Sequence, residues 1–279
     1  MKLYIKIIID HLIKIVATNV NKIFVLFFLY LHRNKKKLAD KDYYNLIYQK
    51  LSNSYIDKLP FEIKNNFFID KEFILDLSFT TQVVNKKTEI NIDHGRLLYS
   101  VLSKFIKDNN IQDINIVETG TARGFSAICM CKSLIDLDVN GRIFSYDILP
   151  HTEKRYWNII DDHSGKKTRH ELLQKWHNII QNRIIFVTGL SHINLKNMNF
   201  GRIHFAFIDG SHHSHDIKYE FSSVSSQQIS GDIIIFDDYD IIKYPDLVSN
   251  VNDCLFRFKY SKEIINTDNG RNFVIAKKK

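Results

Sequence analysis

Short apolar runs, each ending in an acid or followed by glycine, recur through the second half of the chain. They fall at 114–118, 142–147, 183–188, 203–209 and 232–237, with segments of helical length between them. Runs that are apolar throughout, rather than alternating, predict strands covered on both faces. Strand and helix taking turns predicts a parallel sheet with helices on both sides. Two further runs, 260–265 and 271–276, flank Asn269-Gly270, a dipeptide that favours a tight hairpin. The pattern therefore predicts an α/β fold of about seven strands, five parallel plus a C-terminal antiparallel hairpin.

The first part of the chain reads differently. Residues 40–110 carry a mixed helical pattern, and a helix opens at His94-Gly95-Arg96 and continues to Asn109. Arg96 there is either an ordinary first-turn residue or one that faces a pocket. Residues 3–31 are rich in Ile, Leu, Val and Phe and are followed by Arg33, Lys35, Lys36 and Lys37. A spanning helix needs about twenty apolar residues, and Lys14, Asn19, Asn21 and Lys22 interrupt this stretch. His32-Arg33-Asn34 is no small-residue cleavage site, so a signal peptide is not indicated. The expectation is an amphipathic helical appendage over 3–31, packed on the domain or on a second subunit, within a helical N-terminal extension over 1–90 ahead of a catalytic domain over 91–279. A second reading keeps residues 1–37 at a membrane surface through the lysines. Either reading places the protein in the cytoplasm.

Charge and cysteine content narrow the partners. The net charge is +8, and within residues 1–66 twelve Lys and Arg stand against five Asp and Glu. The remainder is close to neutral, which argues against a basic nucleic-acid surface. An odd number of cysteines, with Cys129 and Cys131 on one apolar helix, suits reduced core thiols rather than a disulfide framework.

The chemistry concentrates at the ends of the predicted strands. Ile116-Val117-Glu118-Thr119-Gly120-Thr121-Ala122-Arg123-Gly124-Phe125-Ser126 reads as strand, glycine turn and helix start. Such a turn directs backbone N–H groups at a ligand beyond the strand's carboxyl end. The spacing lacks the glycines of a dinucleotide fingerprint and the Gly-Lys-Ser/Thr of a P-loop. The second strand ends in Asp147, placed to accept from paired ribose hydroxyls. After the third comes Gly189-Leu190-Ser191. The fourth ends Ile208-Asp209-Gly210-Ser211-His212-His213, and the fifth ends Phe236-Asp237-Asp238-Tyr239. Carboxylates gathered at one edge raise one another's proton affinity unless they share a cation. All-oxygen donors suit Mg²⁺ or a similar hard ion.

These motifs resemble the class I S-adenosylmethionine-dependent methyltransferases, a Rossmann-like fold. Glu118 through Gly124 resemble that family's acid-x-Gly-x-Gly-x-Gly motif, with Ala122 at the middle glycine. The Ile-Asp-Gly-Ser-His-His and Phe-Asp-Asp-Tyr stretches resemble most the macrocin and catechol O-methyltransferase-like group, methyltransferase domain family 24. The resemblance covers about residues 94–279. It implies that Glu118, Thr119, Gly120, Thr121, Ala122 and Gly124 hold the methionine part of S-adenosylmethionine, Asp147 the ribose, and Ser191 the adenine side. It implies Asp209, Asp237 and Asp238 as ligands of Mg²⁺ or a similar divalent cation, with His212 as base beside Asp209; His213 and His215 are rivals for that role. The polar segment 151–182 is expected to cover the acceptor. The expected reaction is O-methylation of a small molecule or sugar, without nucleic acid and in a chain able to form a homo-oligomer. Two other readings fit the fold: a cephalosporin-hydroxylase-like oxygenase, and a non-catalytic partner protein that keeps the cofactor fold.

Overall fold

The predicted strands assemble into one sheet. The computed structural model describes residues 38–86, 90–211, 213–267 and 271–279. The apolar segment 3–31 with its basic cluster, His212, and the Asn269-Gly270 turn lie outside these residues. Helices α1 (Lys41–Asn53), α2 (Pro60–Asn65), α3 (Lys71–Thr81) and α4 (Asp93–Asp108) precede β1 (Asp113–Thr119). Next come α5 (Phe125–Asp136), β2 (Asn140–Asp147), the short α6 (Arg169–Leu172) and α7 (His177–Ile180), then β3 (Ile184–Thr188) and α8 (Ser191–Lys196). The chain closes with β4 (Phe205–Ile208), α9 (Ser214–Ser225), β5 (Ile233–Phe236), α10 (Pro245–Arg257), β6 (Tyr260–Asn266) and β7 (Asn272–Lys278).

The strand order is β3-β2-β1-β4-β5-β7-β6. The first five strands are parallel, and β7 runs antiparallel to both β5 and β6. The order reverses between β1 and β4, and there the carboxyl ends of neighbouring strands open a crevice.

Strand periodicity sorts the core into two layers. Ile116, Phe205, Phe207, Ile233 and Ile235 face one layer with α4 and α5. Their neighbours Val117, Ala206, Ile208, Ile234 and Phe236 face the other, with Ile217 and Phe221 of α9 and Leu247 and Val251 of α10. Side chains of successive strand residues point to opposite faces, so β4 and β5, covered on both sides, are apolar at every position. That is the pattern seen in the sequence.

The N-terminal helices are tied into the first layer: Leu59, Phe61, Ile74 and Leu77 share its core with α4 and α5. Pro60 starts α2 at a position where its missing N–H costs nothing. Asp70 caps α3 by accepting from the Phe73 N–H at 2.7 Å. A buried ion pair locks α2 to α4. Arg96 Nε donates to Glu62 Oε1 at 2.9 Å, and its Nη2 donates to Oε2 and to the Asp57 carbonyl. Its Nη1 donates to the Ile56 carbonyl at 2.7 Å, while the Tyr55 ring lies 4.4 Å from the guanidinium. Arg96 thus fastens helices, and it also lines a cleft between them. Among the described residues no helix is long and apolar enough to cross a membrane.

Candidate functional site

The strand tips are stitched edge to edge. The Gly120 and Thr121 N–H groups donate to the Tyr146 carbonyl of β2, Asp209 N–H to the Thr119 carbonyl of β1, and Asp237 N–H to the Ile208 carbonyl of β4. Asp147, Asp209 and Asp237 therefore stand on one edge of the sheet, around the β1–β4 crevice.

The glycine turn is held in left-handed backbone. Gly120 has φ 89°, Ala122 45° and Gly124 87°. A Cβ at Gly120 would lie 2.1 Å from the Asp209 carbonyl oxygen, so only glycine lets the turn sit against β4. Ala122 adopts the conformation of the glycine it replaces, at a steric cost, and is exposed at the crest of the turn.

Glu118 does not line the crevice. It is fully buried, and its two oxygens accept from the Ser126 and Ser145 hydroxyls. Desolvation raises its pKa, and the serines offset part of that. It holds the turn to β2 and α5. Thr119 is buried as well, donating to Glu220, and the buried Thr121 hydroxyl bonds that of Ser145. Of the residues expected at the methionine end, the structure leaves Gly120 and Ala122 open to the crevice.

Asp147 faces the turn from β2. Its Oδ2 accepts from Ala122 N–H at 2.6 Å and from Arg169 Nη2 at 3.1 Å; its Oδ1 accepts from Leu149 N–H at 2.8 Å. Burial raises its pKa, and Arg169 counters this in part. Arg169, fully buried, also donates through Nε to the Ala122 carbonyl. Arg123 reaches back from the turn to the Trp157 carbonyl at 2.8 Å. The segment 151–182 was expected over the acceptor. Its contacts brace the glycine turn and Asp147 through Arg169 and Arg123, and its own buried Asp162 accepts from the Trp157 and Asn158 N–H groups.

Glu220 of α9 underlies the opposite flank. It is fully buried, takes the Ser191 hydroxyl on Oε1 and the Thr119 hydroxyl on Oε2, and links the β3–α8 turn to the tip of β1. Burial pushes its carboxyl up to about 7.

At the tips of β4 and β5 an arginine stands among the acids. Arg271, just ahead of β7, donates through Nε to Asp237 Oδ1 at 2.8 Å and through Nη2 to Oδ2. The same Nη2 lies 3.9 Å from Asp209, and Nη1 donates to His94 Nδ1 at 3.2 Å. Burial opposes charge on Arg271, but Asp237 and Asp209 outweigh it. His94 is held neutral, first by burial and then by Arg271. Desolvation, then Asp237, lifts the Asp209 carboxyl well above its usual range; desolvation lifts Asp237, and the guanidinium pulls it part-way back. Asp238 follows in left-handed backbone, its N–H donating to Asp237 Oδ1.

These residues suit a hard divalent cation in chemistry and charge, since three carboxylates meet one guanidinium and the donors are oxygens. The three acids do not converge as a ligand cage, however. Both Asp237 oxygens serve Arg271, with which an ion would have to share them.

Arg271, Arg169 and Glu220 escaped sequence reasoning. The one usable signal was the hairpin: β7 pairs with β5 from Phe236 to Ile233, and the Tyr239 N–H donates to the Asn272 carbonyl. That register brings the residue before β7 to the tip of β5.

A cleft of about 660 Å³ opens beside this cluster. It lies between α1, α2, the start of α4 and the end of β6, with Tyr55, Phe61, Ile90, Asp93, Ile264 and Thr267 among its walls. Asp93 adjoins His94, which touches Arg271.

Residues 117–239 match the model of a family described as a methyltransferase domain. The solved structure of the O-methyltransferase NovP superposes with a TM-score of 0.54 at 17% identity, covering 85% of this chain and 98% of its own. An O-methyltransferase from Bacillus cereus in complex with SAH reaches a TM-score of 0.49 at 15% identity, covering 84% of this chain and 97% of its own. No curated protein sequence matches the chain. At such identities the NovP likeness shows a common fold.

Proposed function

We propose, from the match of residues 117–239 to a methyltransferase domain family, that the protein transfers the methyl group of S-adenosylmethionine to a hydroxyl oxygen of a small molecule or sugar, aided by a divalent cation. One observation carries the reading: the glycine turn and Asp147 face the acid cluster of Asp209 and Asp237 across the same crevice, the turn being in backbone contact with Asp209. A donor site and an acceptor site thereby adjoin.

The cofactor fits the donor half by the chemistry of what is there, a left-handed turn with Ala122 at its crest and a carboxylate at the next strand tip. Backbone N–H groups at the start of α5 would bind the carboxylate end of the cofactor. Asp147 would accept from the ribose hydroxyls through lone pairs not engaged by Arg169, and Ser191 would border the adenine. Asp209, Asp237 and Asp238 would hold the cation only with the Asp237 oxygens shared with Arg271. When bound, S-adenosylmethionine supplies a methyl activated by its sulfonium, and the cation supplies acidification and orientation of the acceptor hydroxyl. Arg271 holds both Asp237 oxygens and offsets part of the burial that raises that carboxyl's pKa. The acceptor's proton would pass to a carboxylate oxygen of Asp209 or to His212. The acceptor body would lie in the cleft beside Asp93, whose mixed aromatic, aliphatic and polar wall suits a ring-bearing molecule with hydroxyls.

The test is transfer of labelled methyl to a panel of hydroxyl acceptors with and without Mg²⁺, together with calorimetry of S-adenosylmethionine binding. Asp147→Asn should weaken cofactor binding, while Asp237→Asn should stop turnover and leave that binding nearly intact. The reverse pattern would show the two halves wrongly assigned, and transfer indifferent to chelation would remove the cation.

A further inference from the structure

A cluster of side chains able to ligate a metal lies on the other flank of the crevice, where α8 meets α9. Among the described residues, His192, His215 and Asp216 form the only group of His, Cys, Asp and Glu in which three donor atoms all lie within 4.8 Å of one another. His192 Nδ1 stands 3.0 Å from Asp216 Oδ1, and His215 Nδ1 stands 3.4 Å from the same oxygen. The two imidazoles meet edge to face with centroids 5.5 Å apart, and the Tyr219 ring, 4.4 Å away, backs His215. His192 and Asp216 are mostly buried, whereas the His215 side chain is 66% exposed. Two donors are thus fixed by packing, and the third stands at the surface, where an ion and its waters can enter.

From this geometry we propose that His192, His215 and Asp216 bind a divalent transition-metal ion of the Zn²⁺ type, separate from the acid cluster of Asp209 and Asp237. Two imidazole nitrogens and one carboxylate oxygen form a borderline-soft set that suits Zn²⁺, Ni²⁺ or Co²⁺ and disfavours Mg²⁺. Three protein ligands leave a fourth position for water. The neighbourhood gives the site a consequence. His192 directly follows Ser191, whose hydroxyl bonds Glu220. An ion joining α8 to α9 would pin the β3–α8 turn to the helix that carries Glu220. The site stands independently of methyl transfer and requires no cofactor.

The experiment is calorimetric titration of the full chain with ZnCl₂ in excess Mg²⁺, repeated on His215→Ala and on Asp209→Asn. Co²⁺ absorption serves as a second readout of four-coordinate nitrogen and oxygen ligation. His215 is exposed, so its removal spares folding. One Zn²⁺ should bind to the unaltered chain and to Asp209→Asn, and bind at least about tenfold more weakly to His215→Ala. Zn²⁺ should raise the melting temperature of the unaltered chain and not that of His215→Ala. The same Zn²⁺ affinity in His215→Ala, or loss of binding in Asp209→Asn with retention in His215→Ala, would overturn the assignment, as would no Zn²⁺ binding at all. In that event Asp216 merely receives hydrogen bonds from two imidazoles.

Discussion

Replacing Glu220 by glutamine should change how stability depends on pH. Glu220 has no solvent exposure, and its oxygens are taken by Ser191 and Thr119. Burial moves its carboxyl from 4.5 to about 7. Because the folded-state value lies above the unfolded one, the group's contribution to stability is fully present below 4.5 and is lost as pH rises through 7. A tenfold change in proton affinity corresponds to 1.36 kcal/mol, so the loss comes to about 3 kcal/mol. Glutamine keeps an acceptor oxygen for one hydroxyl, can donate to the other, and never ionises. Urea unfolding of both proteins from pH 4.5 to 8.5 isolates the effect, because every other titrating group cancels in the difference. The variant should match the unaltered protein near pH 4.5 and exceed it by about 3 kcal/mol at pH 8.5. A difference that stays constant across that range would show that Glu220 titrates normally and that its burial has no electrostatic cost.

Three further outcomes are expected. Arg271→Met strips the bidentate partner from Asp237, whose side chain is 1% exposed, and should cost about 3–5 kcal/mol in chemical unfolding at pH 8. Millimolar Mg²⁺ should recover part of that loss if the acids bind a cation, and recovery of none would argue against one. Ala122→Gly should raise stability by up to about 1 kcal/mol, since φ 45° burdens a residue with a Cβ; a lower melting temperature would contradict the strain. Arg96→Met leaves Glu62 buried without its partner and should cost about 3–5 kcal/mol. If α2 were held by its apolar contacts alone, unfolding would be unchanged.

The sequence by itself determined what depends on near neighbours along the chain. Continuous apolar runs marked β1 to β5, glycine and asparagine marked the turns, and the alternation of strand with helix required parallel pairing. Parallel pairing in turn placed Asp147, Asp209 and Asp237 on one edge. Only the tertiary structure decided what answers those charges. Arg271 comes from the C-terminal hairpin to Asp237, and Arg169 from the segment after β2 to Asp147. Glu118 looked like a ligand at a strand tip, but Ser126 and Ser145 enclose it. His192 sits on α8 and His215 and Asp216 on α9, so no local spacing joins them. The physical reason is one of range. Backbone conformation and burial pattern are encoded over a few residues, whereas a buried charge takes its partner from whichever element packing brings beside it.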